Sequence, residues 1–223
     1  AAACGAGKRA YVRRMFSEIA PRYDLLNHVL SLNIARRWRR AAIRELDWQR
    51  RADGVYLDVC AGTLDVGAML AGMPGFRGLV VGADFAEPML RQGHAKAMDR
   101  PLSPVVADAL SLPMADGSAA GAIVGFGVRN LTDLDAGLRE VNRVLAPAAR
   151  FVILELSTPR SVMMRAVYHT YLRILLPAIG RAVSGHPTAY SYLPESVSHF
   201  PEADDLAARM RAAGFAHVRW RPL

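Results

Sequence analysis

The sequence predicts an α/β fold in which a doubly wound, mostly parallel sheet follows an N-terminal helical cap. Three observations predict it. Between Tyr11 and Leu46 apolar residues recur at three- and four-residue steps, the period of amphipathic helices. From Gly54 onward, short β-rich apolar runs alternate with helical segments, the pattern of βα units in series. A glycine or an aspartate stands where several of those runs stop, and in such sheets ligands bind beyond the carboxyl ends of the strands.

In the cap, Val12, Met15, Phe16 and Ile19, then Leu26, Val29 and Leu30, mark helical faces, and Pro21 is expected to break the run. A second helix opens at Arg36-Arg37-Trp38-Arg39-Arg40, where Arg36, Arg40 and Arg44 are spaced to share one face. Strands are predicted at Val55–Cys60, Gly78–Asp84, Ser103–Ala107, Ala119–Gly125 and Arg150–Leu156. Helices are predicted from about Leu64, from Pro88, at Leu134–Val144 and at Asp204–Ala213, and a last strand at Phe215–Trp220. The segment Val162–Val183 is apolar but places Arg165, His169 and Arg173 on one helical face, which suits either a helix packed over the sheet with a solvated basic face or one lying at a membrane interface, and not one spanning a bilayer. One domain, residues 1–223, is expected: a cap (1–50), a cofactor-binding core (54–160), a substrate-side helical insertion (161–200) and a C-terminal helix and strand (201–223).

Composition narrows the function. The chain has 223 residues, 52% of them hydrophobic and 22% charged, enough for one packed core. Its two cysteines, Cys4 and Cys60, lie far apart and favour a reducing, cytoplasmic setting over a disulfide framework. No run of eighteen uninterrupted apolar residues occurs, so a transmembrane helix is not expected. The net charge of +8 is carried mainly by arginine, but aromatic platforms interleaved with basic residues and helix-turn-helix signals are missing, so nucleic acid is not an expected partner. The six histidines are scattered without paired metal spacing, and no G-x-S-x-G elbow is present, which argues against a metal site and a serine hydrolase.

The strand ends describe a site for an adenosine. Asp58 and Gly62-Thr63 follow the first strand, and Gly62 lets backbone approach a ligand closely. Asp84, about twenty residues past that turn, is placed to hold ribose hydroxyls. Asp108 can accept from an adenine amino group, with Ala109 beside it, while Phe85 and Met89 offer apolar surface to the base. Gly125 to Asn130 follow the fourth strand and face the same crevice. The turn Gly62-Thr63-Leu64-Asp65-Val66-Gly67 lacks the G-x-G-x-x-G spacing that cradles a pyrophosphate, and Gly7-Lys8 does not fit a P-loop. The ligand is therefore expected to carry no pyrophosphate.

Four runs carry a specific resemblance: Met15 through Asn27, Phe126 through Leu131, Leu154 through Pro159 and Tyr190 through Ser196. Together they make the chain resemble the ubiquinone/menaquinone biosynthesis C-methyltransferases from Val12 to Leu223. The resemblance implies the class I methyltransferase form of the Rossmann-like fold and S-adenosylmethionine as methyl donor. It places donor contacts at Thr63, Asp84, Asp108, Ala109 and Gly125, the last being usually a small hydroxyl residue. It implies a prenylated quinol as acceptor; a peripheral contact with the inner face of the membrane, suited by the Val162–Val183 segment, and a homodimer are further candidates. Arg129 and Asn130 are then expected at the reacting centre, Arg129 stabilising a phenolate oxygen and Asn130 orienting the ring, with a water, the ionised quinol itself or Tyr23 as candidates to handle the proton. The alternative for Arg129 is a structural pair with a carboxylate such as Glu155. Competing functions are methylation of another small molecule and a non-methylating scaffold subunit.

The chain departs from the family pattern at three turns. Leu64 stands where a second glycine is usual, Gly125 lacks the hydroxyl, and Ala148-Ala149 replaces Gly-Gly after Pro147. The last is expected to cost about 1 kcal/mol if the turn needs positive φ. The family also continues past the position of Leu223 into a glycine-containing strand.

Overall fold

A computed structural model describes residues 6–31, 34–157 and 187–223. The predicted helix at Val162–Val183 lies outside the described residues. Two helices, α1 (Ala6–Ser31) and α2 (Ile34–Glu45), lead through a short 3-10 turn at Trp48–Arg51 into the sheet. The strands are β1 (Val55–Val59), β2 (Leu79–Asp84), β3 (Leu102–Val106), β4 (Ala119–Gly125) and β5 (Leu145–Leu154). Between and after them run α3 (Asp65–Ala71), α4 (Glu87–Ala97), α5 (Leu134–Val144), α6 (Pro187–Ser198) and α7 (Ala203–Ala212).

The five strands are all parallel, in the order β3-β2-β1-β4-β5. The order reverses between β1 and β4, and a doubly wound sheet opens its ligand crevice at that switch point. Parallel strands are covered on both faces, which is why β1 and β4 read as nearly unbroken apolar runs. One face packs Ile43, Leu64, Leu70 and Leu90 around Tyr56 and Ile123; the other packs Leu57, Val124, Val141 and Val144. The Tyr56 hydroxyl, buried with its ring, donates to the carbonyls of Trp48 and Arg51 and ties the cap's end to β1.

Three expectations are corrected. Pro21 does not break the first helix; α1 runs through it. Phe16, Ala20 and Tyr23, flanking the proline, pack against Ala86 of the β2–α4 connection and Met89 of α4, and that burial offsets the roughly 3 kcal/mol a mid-helix proline costs. The fifth strand starts at Leu145, earlier than Arg150, because an irregular pairing between Ala119 and Gly121 lets the strand absorb Pro147-Ala148-Ala149. Residues 215–220 form no strand. Their apolar side chains pack, Phe215 stacking on Phe151 at 5.7 Å and Val218 joining Leu138 and Met210, but side chains tether the segment in place of ladder bonds. Arg219 and Arg221 pair with Glu45, and Trp220 Nε1 donates to Asp204. Ala148 sits at φ +61°, the positive value at which the missing glycine was expected to matter. On α2, Arg36, Arg40 and Arg44 are all exposed.

Candidate active site

The cleft lies where β1, β2, β3 and β4 end, and α1 crosses it. Its wall includes Gly62, Asp84, Phe85, Asp108, Ala109 and Gly125 from the strand ends, Tyr23 and Arg9 from α1, and Asn130 after β4. Eight of the residues expected from sequence (these, without Arg9) thus meet in one cavity, while Asp58, Thr63 and Arg129 stand behind its wall.

The β1 turn is shaped by left-handed residues. Cys60, Gly62 and Leu64 have φ of +53°, +53° and +65°, and Phe126 after β4 has +63°. Such conformations are strained for side chains other than glycine and persist where surroundings over-determine them. Leu64 is held by full burial, with a methyl filling the space a Cβ at Gly82 would need, 2.5 Å from it. Phe126 is held by its N–H donating to the Leu154 carbonyl and by its carbonyl accepting from Arg129. Gly93 lets α4 lie directly on the Thr63 backbone, which leaves no space for a Cβ.

Asp84 organises two turns at once. Its Oδ2 accepts from Gly62 N and its Oδ1 from Ala86 N, each at 2.8 Å. Burial raises its pKa, and the backbone donors at Ala86, Gly62 and Phe85 lower it. Asp108 lies on the β3 loop, with Oδ1 accepting from Leu110 N at 3.0 Å and Oδ2 paired with Arg9 at 2.9 Å. Phe85, Met89 and Phe16 add apolar surface to the same cavity.

Asp58 faces away from the cleft. Its Oδ2 accepts from Gly67 N at 2.8 Å, satisfying an N-terminal donor of α3 that Leu64 cannot cap. Burial pushes its pKa up to about 7, against lowering by that N–H and by Arg39. Thr63 is equally buried, and its hydroxyl donates to Asp24 of α1 at 2.6 Å. Lys96 bridges Asp24 and Asp65, and Arg39 also pairs with Asp65, so α1, α2, α3 and α4 share one charged cluster beneath the turn. The Cys60 thiol lines the cavity; burial and surrounding carboxylates push its pKa well up, so it stays protonated.

Arg129 takes the structural geometry weighed above as its alternative. Its guanidinium pairs with Glu155 and donates to the Phe126 carbonyl, with 9% of the arginine side chain and 4% of the glutamate exposed. Asn130 does reach the cavity, and its amide oxygen accepts from the Tyr192 hydroxyl of α6 at 3.1 Å. Sequence reasoning did not single out Arg9, Lys8, Asp24 or Tyr192. Lys8 donates to the Leu131 carbonyl at 2.7 Å, across 123 residues of chain, a relation that no local pattern signals. Among the described residues no group of His, Cys, Asp or Glu could hold a metal ion.

Residues 5–223 match the ubiE/COQ5 methyltransferase family. The chain is 46% identical over 212 residues to a demethylmenaquinone methyltransferase of Thermus thermophilus, covering 94% of each chain. It is 40% identical over 212 residues to a ubiquinone/menaquinone biosynthesis C-methyltransferase UbiE of Geotalea uraniireducens, covering 93% of this chain and 89% of the relative. The YcgJ protein of Bacillus subtilis shares its fold, with a TM-score of 0.59 at 18% identity over 80% of this chain and 68% of that one.

Proposed function

The chain belongs to the ubiE/COQ5 methyltransferase family, and from that membership we propose that it is an S-adenosylmethionine-dependent C-methyltransferase acting on a ring carbon of a demethylmenaquinol or related prenylated quinol. One observation carries the reading: a single cleft is lined both by the carboxylates of Asp84 and Asp108 and by the aromatic residues Phe16, Tyr23 and Phe126, together with Asn130. The carboxylates fit an adenosine and the aromatic residues a flat ring.

The residues present fit the donor. Asp84 and Asp108 each keep acceptor capacity beyond the backbone donors they already serve, for ribose hydroxyls and an adenine amino group respectively. Gly62, at φ +53°, carries no Cβ, so the β1 turn can lie against a ligand with only Met89 nearby. Thr63 contributes by fixing that turn through Asp24, Ala109 and Gly125 by their backbone and small size. When bound, the donor supplies an electrophilic methyl group that a ring carbon takes, leaving S-adenosylhomocysteine.

The chain's own part is positioning and exclusion of water, which can supply a large share of the acceleration in a two-substrate displacement. Tyr23 and Phe126 enclose the ring, and α1 closes over it through Lys8, Arg9 and Asp24. Arg129 holds the strained Phe126 turn, and with it the neighbouring Asn130, which offers a hydrogen bond to a ring oxygen. A prenyl tail resides in lipid, so the reading includes peripheral contact with an anionic membrane surface; Arg36, Arg37, Arg40 and Arg44, exposed on α2, suit it. Co-sedimentation with anionic vesicles that is lost at high salt supports that contact, and none at low salt removes it.

The function is tested by incubating the protein anaerobically with S-adenosylmethionine and a reduced short-tail demethylmenaquinol. A methylated quinone accumulating with S-adenosylhomocysteine is the expected result; donor binding without any transfer points to a scaffold subunit.

A further inference from the structure

The Tyr192 hydroxyl donates to the Asn130 side-chain oxygen at 3.1 Å. Tyr192 comes from α6, half-buried, with its ring tilted against Tyr11 of α1 at 5.9 Å. A flipped Asn130 amide would turn an N–H toward the Tyr192 hydroxyl in place of the acceptor and would lose this bond. Burial raises the Tyr192 pKa to about 12, with Arg129 lowering it, so the phenol remains a donor across the working pH range. With its oxygen turned to Tyr192, the Asn130 amide has its nitrogen, with two N–H donors, as the end left for the cleft that Asn130 lines.

We propose that Tyr192 is a positioning residue that locks Asn130 with its N–H donors toward the acceptor, making the site selective for a ring oxygen in its ionised form. This rests on the methyl-transfer reading above. An ionised ring oxygen is what makes the neighbouring carbon electron-rich, and a fixed N–H donor favours the oxyanion over the hydroxyl because charge-assisted hydrogen bonds are the stronger ones. An amide free to flip could present its oxygen instead, which repels the oxyanion and accepts from the neutral hydroxyl. The device thus tunes the protonation state of the acceptor without itself taking a proton.

The test uses Tyr192→Phe, which removes only the hydroxyl, alongside Asn130→Ala and the double variant. In Tyr192→Phe the kcat at neutral pH is expected to fall about tenfold and to recover as pH rises, with affinity for S-adenosylhomocysteine unchanged. In the Asn130→Ala background the same change is expected to have no further effect, since the hydroxyl acts through the amide. A uniform loss at every pH, or full additivity of the two substitutions, overturns the proposal. A second readout needs no turnover: a hydroxynaphthoquinone, whose anion absorbs visible light, is bound in the presence of S-adenosylhomocysteine. It is expected to ionise at lower pH on the wild-type protein than on Tyr192→Phe. Equal ionisation, or no binding, overturns the proposal even if methyl transfer is intact, whereas a wild-type chain that binds and ionises the probe but transfers no methyl overturns the functional reading alone.

Discussion

Arg9 reaches from the start of α1 across the mouth of the cleft to Asp108, Nη2 to Oδ2 at 2.9 Å. The carboxylate proposed to receive the adenine amino group is also the one that fastens this helix. Lys8 on Leu131 and Asp24 on Thr63 fasten the same helix at two other strand ends. Arg9→Ala is expected to leave folding intact and to speed donor dissociation. Because 56% of the arginine side chain is exposed, the effect should be only about two- to fivefold. Stopped-flow displacement of bound S-adenosylhomocysteine measures it, and an unchanged rate would mean that α1 does not gate the cleft.

Asp84→Asn tests the hub of the donor site. The carboxylate serves Gly62 N and Ala86 N with different oxygens, and asparagine must turn an N–H₂ toward one of them. A loss of about 2 kcal/mol of stability is expected, with donor affinity reduced tenfold or more. Thermal unfolding and calorimetric titration read the two separately. Wild-type affinity in a destabilised variant would assign Asp84 to the turn alone.

Asp58 predicts a pH dependence of stability. Its pKa is raised from the usual 3.8 to about 7 by burial. Below about pH 4 folded and unfolded chains both carry this proton. Between there and about pH 7 the unfolded chain releases it while the folded chain retains it, so this group's contribution declines as pH rises and is flat above. Asp58→Asn keeps an acceptor for Gly67 N and should lack the decline, on the order of 4 kcal/mol over the whole interval. Urea unfolding of both proteins at about pH 5 and about pH 8 is the comparison; identical pH dependence contradicts the assignment.

Two left-handed residues should respond to glycine in opposite directions. Ala148 at φ +61° is exposed in the irregular first part of β5, and Ala148→Gly is expected to raise stability by about 1 kcal/mol, seen as a Tm increase of about 2–4 °C. Leu64 has φ +65° but is fully buried beside Gly82. Leu64→Gly relieves the same strain and opens a cavity, and a net loss of about 3 kcal/mol is expected. Stabilisation by both would mean that Leu64 packs poorly.

The contrast shows what a single sequence carries. β4 and α5 begin and end where expected, because each boundary has a local cause: Gly117 at φ +64° before the strand, Gly125 at its end, and the Asp133 carboxylate accepting from Ala136 N before the helix. Pro21, the start of β5 and residues 215–220 were misread because their outcome depends on what they pack against. The same division holds in the site. Asp84, Phe85, Asp108 and Gly125 were legible because topology alone brings strand ends to one edge. Arg9, Asp24 and Tyr192 were not, since their roles follow from how α1 and α6 dock. Arg129 was found as a residue, while its engagement with Glu155 follows from β5 running beside β4.

The most direct measurement of the central claim is transfer of an isotopically labelled methyl from S-adenosylmethionine to a reduced demethylmenaquinol, with the product read by carbon NMR and mass spectrometry. The account predicts the label on a ring carbon, with Asp84→Asn and Asn130→Ala both impaired. Label on an oxygen, or no transfer from a protein that binds both ligands, would contradict it.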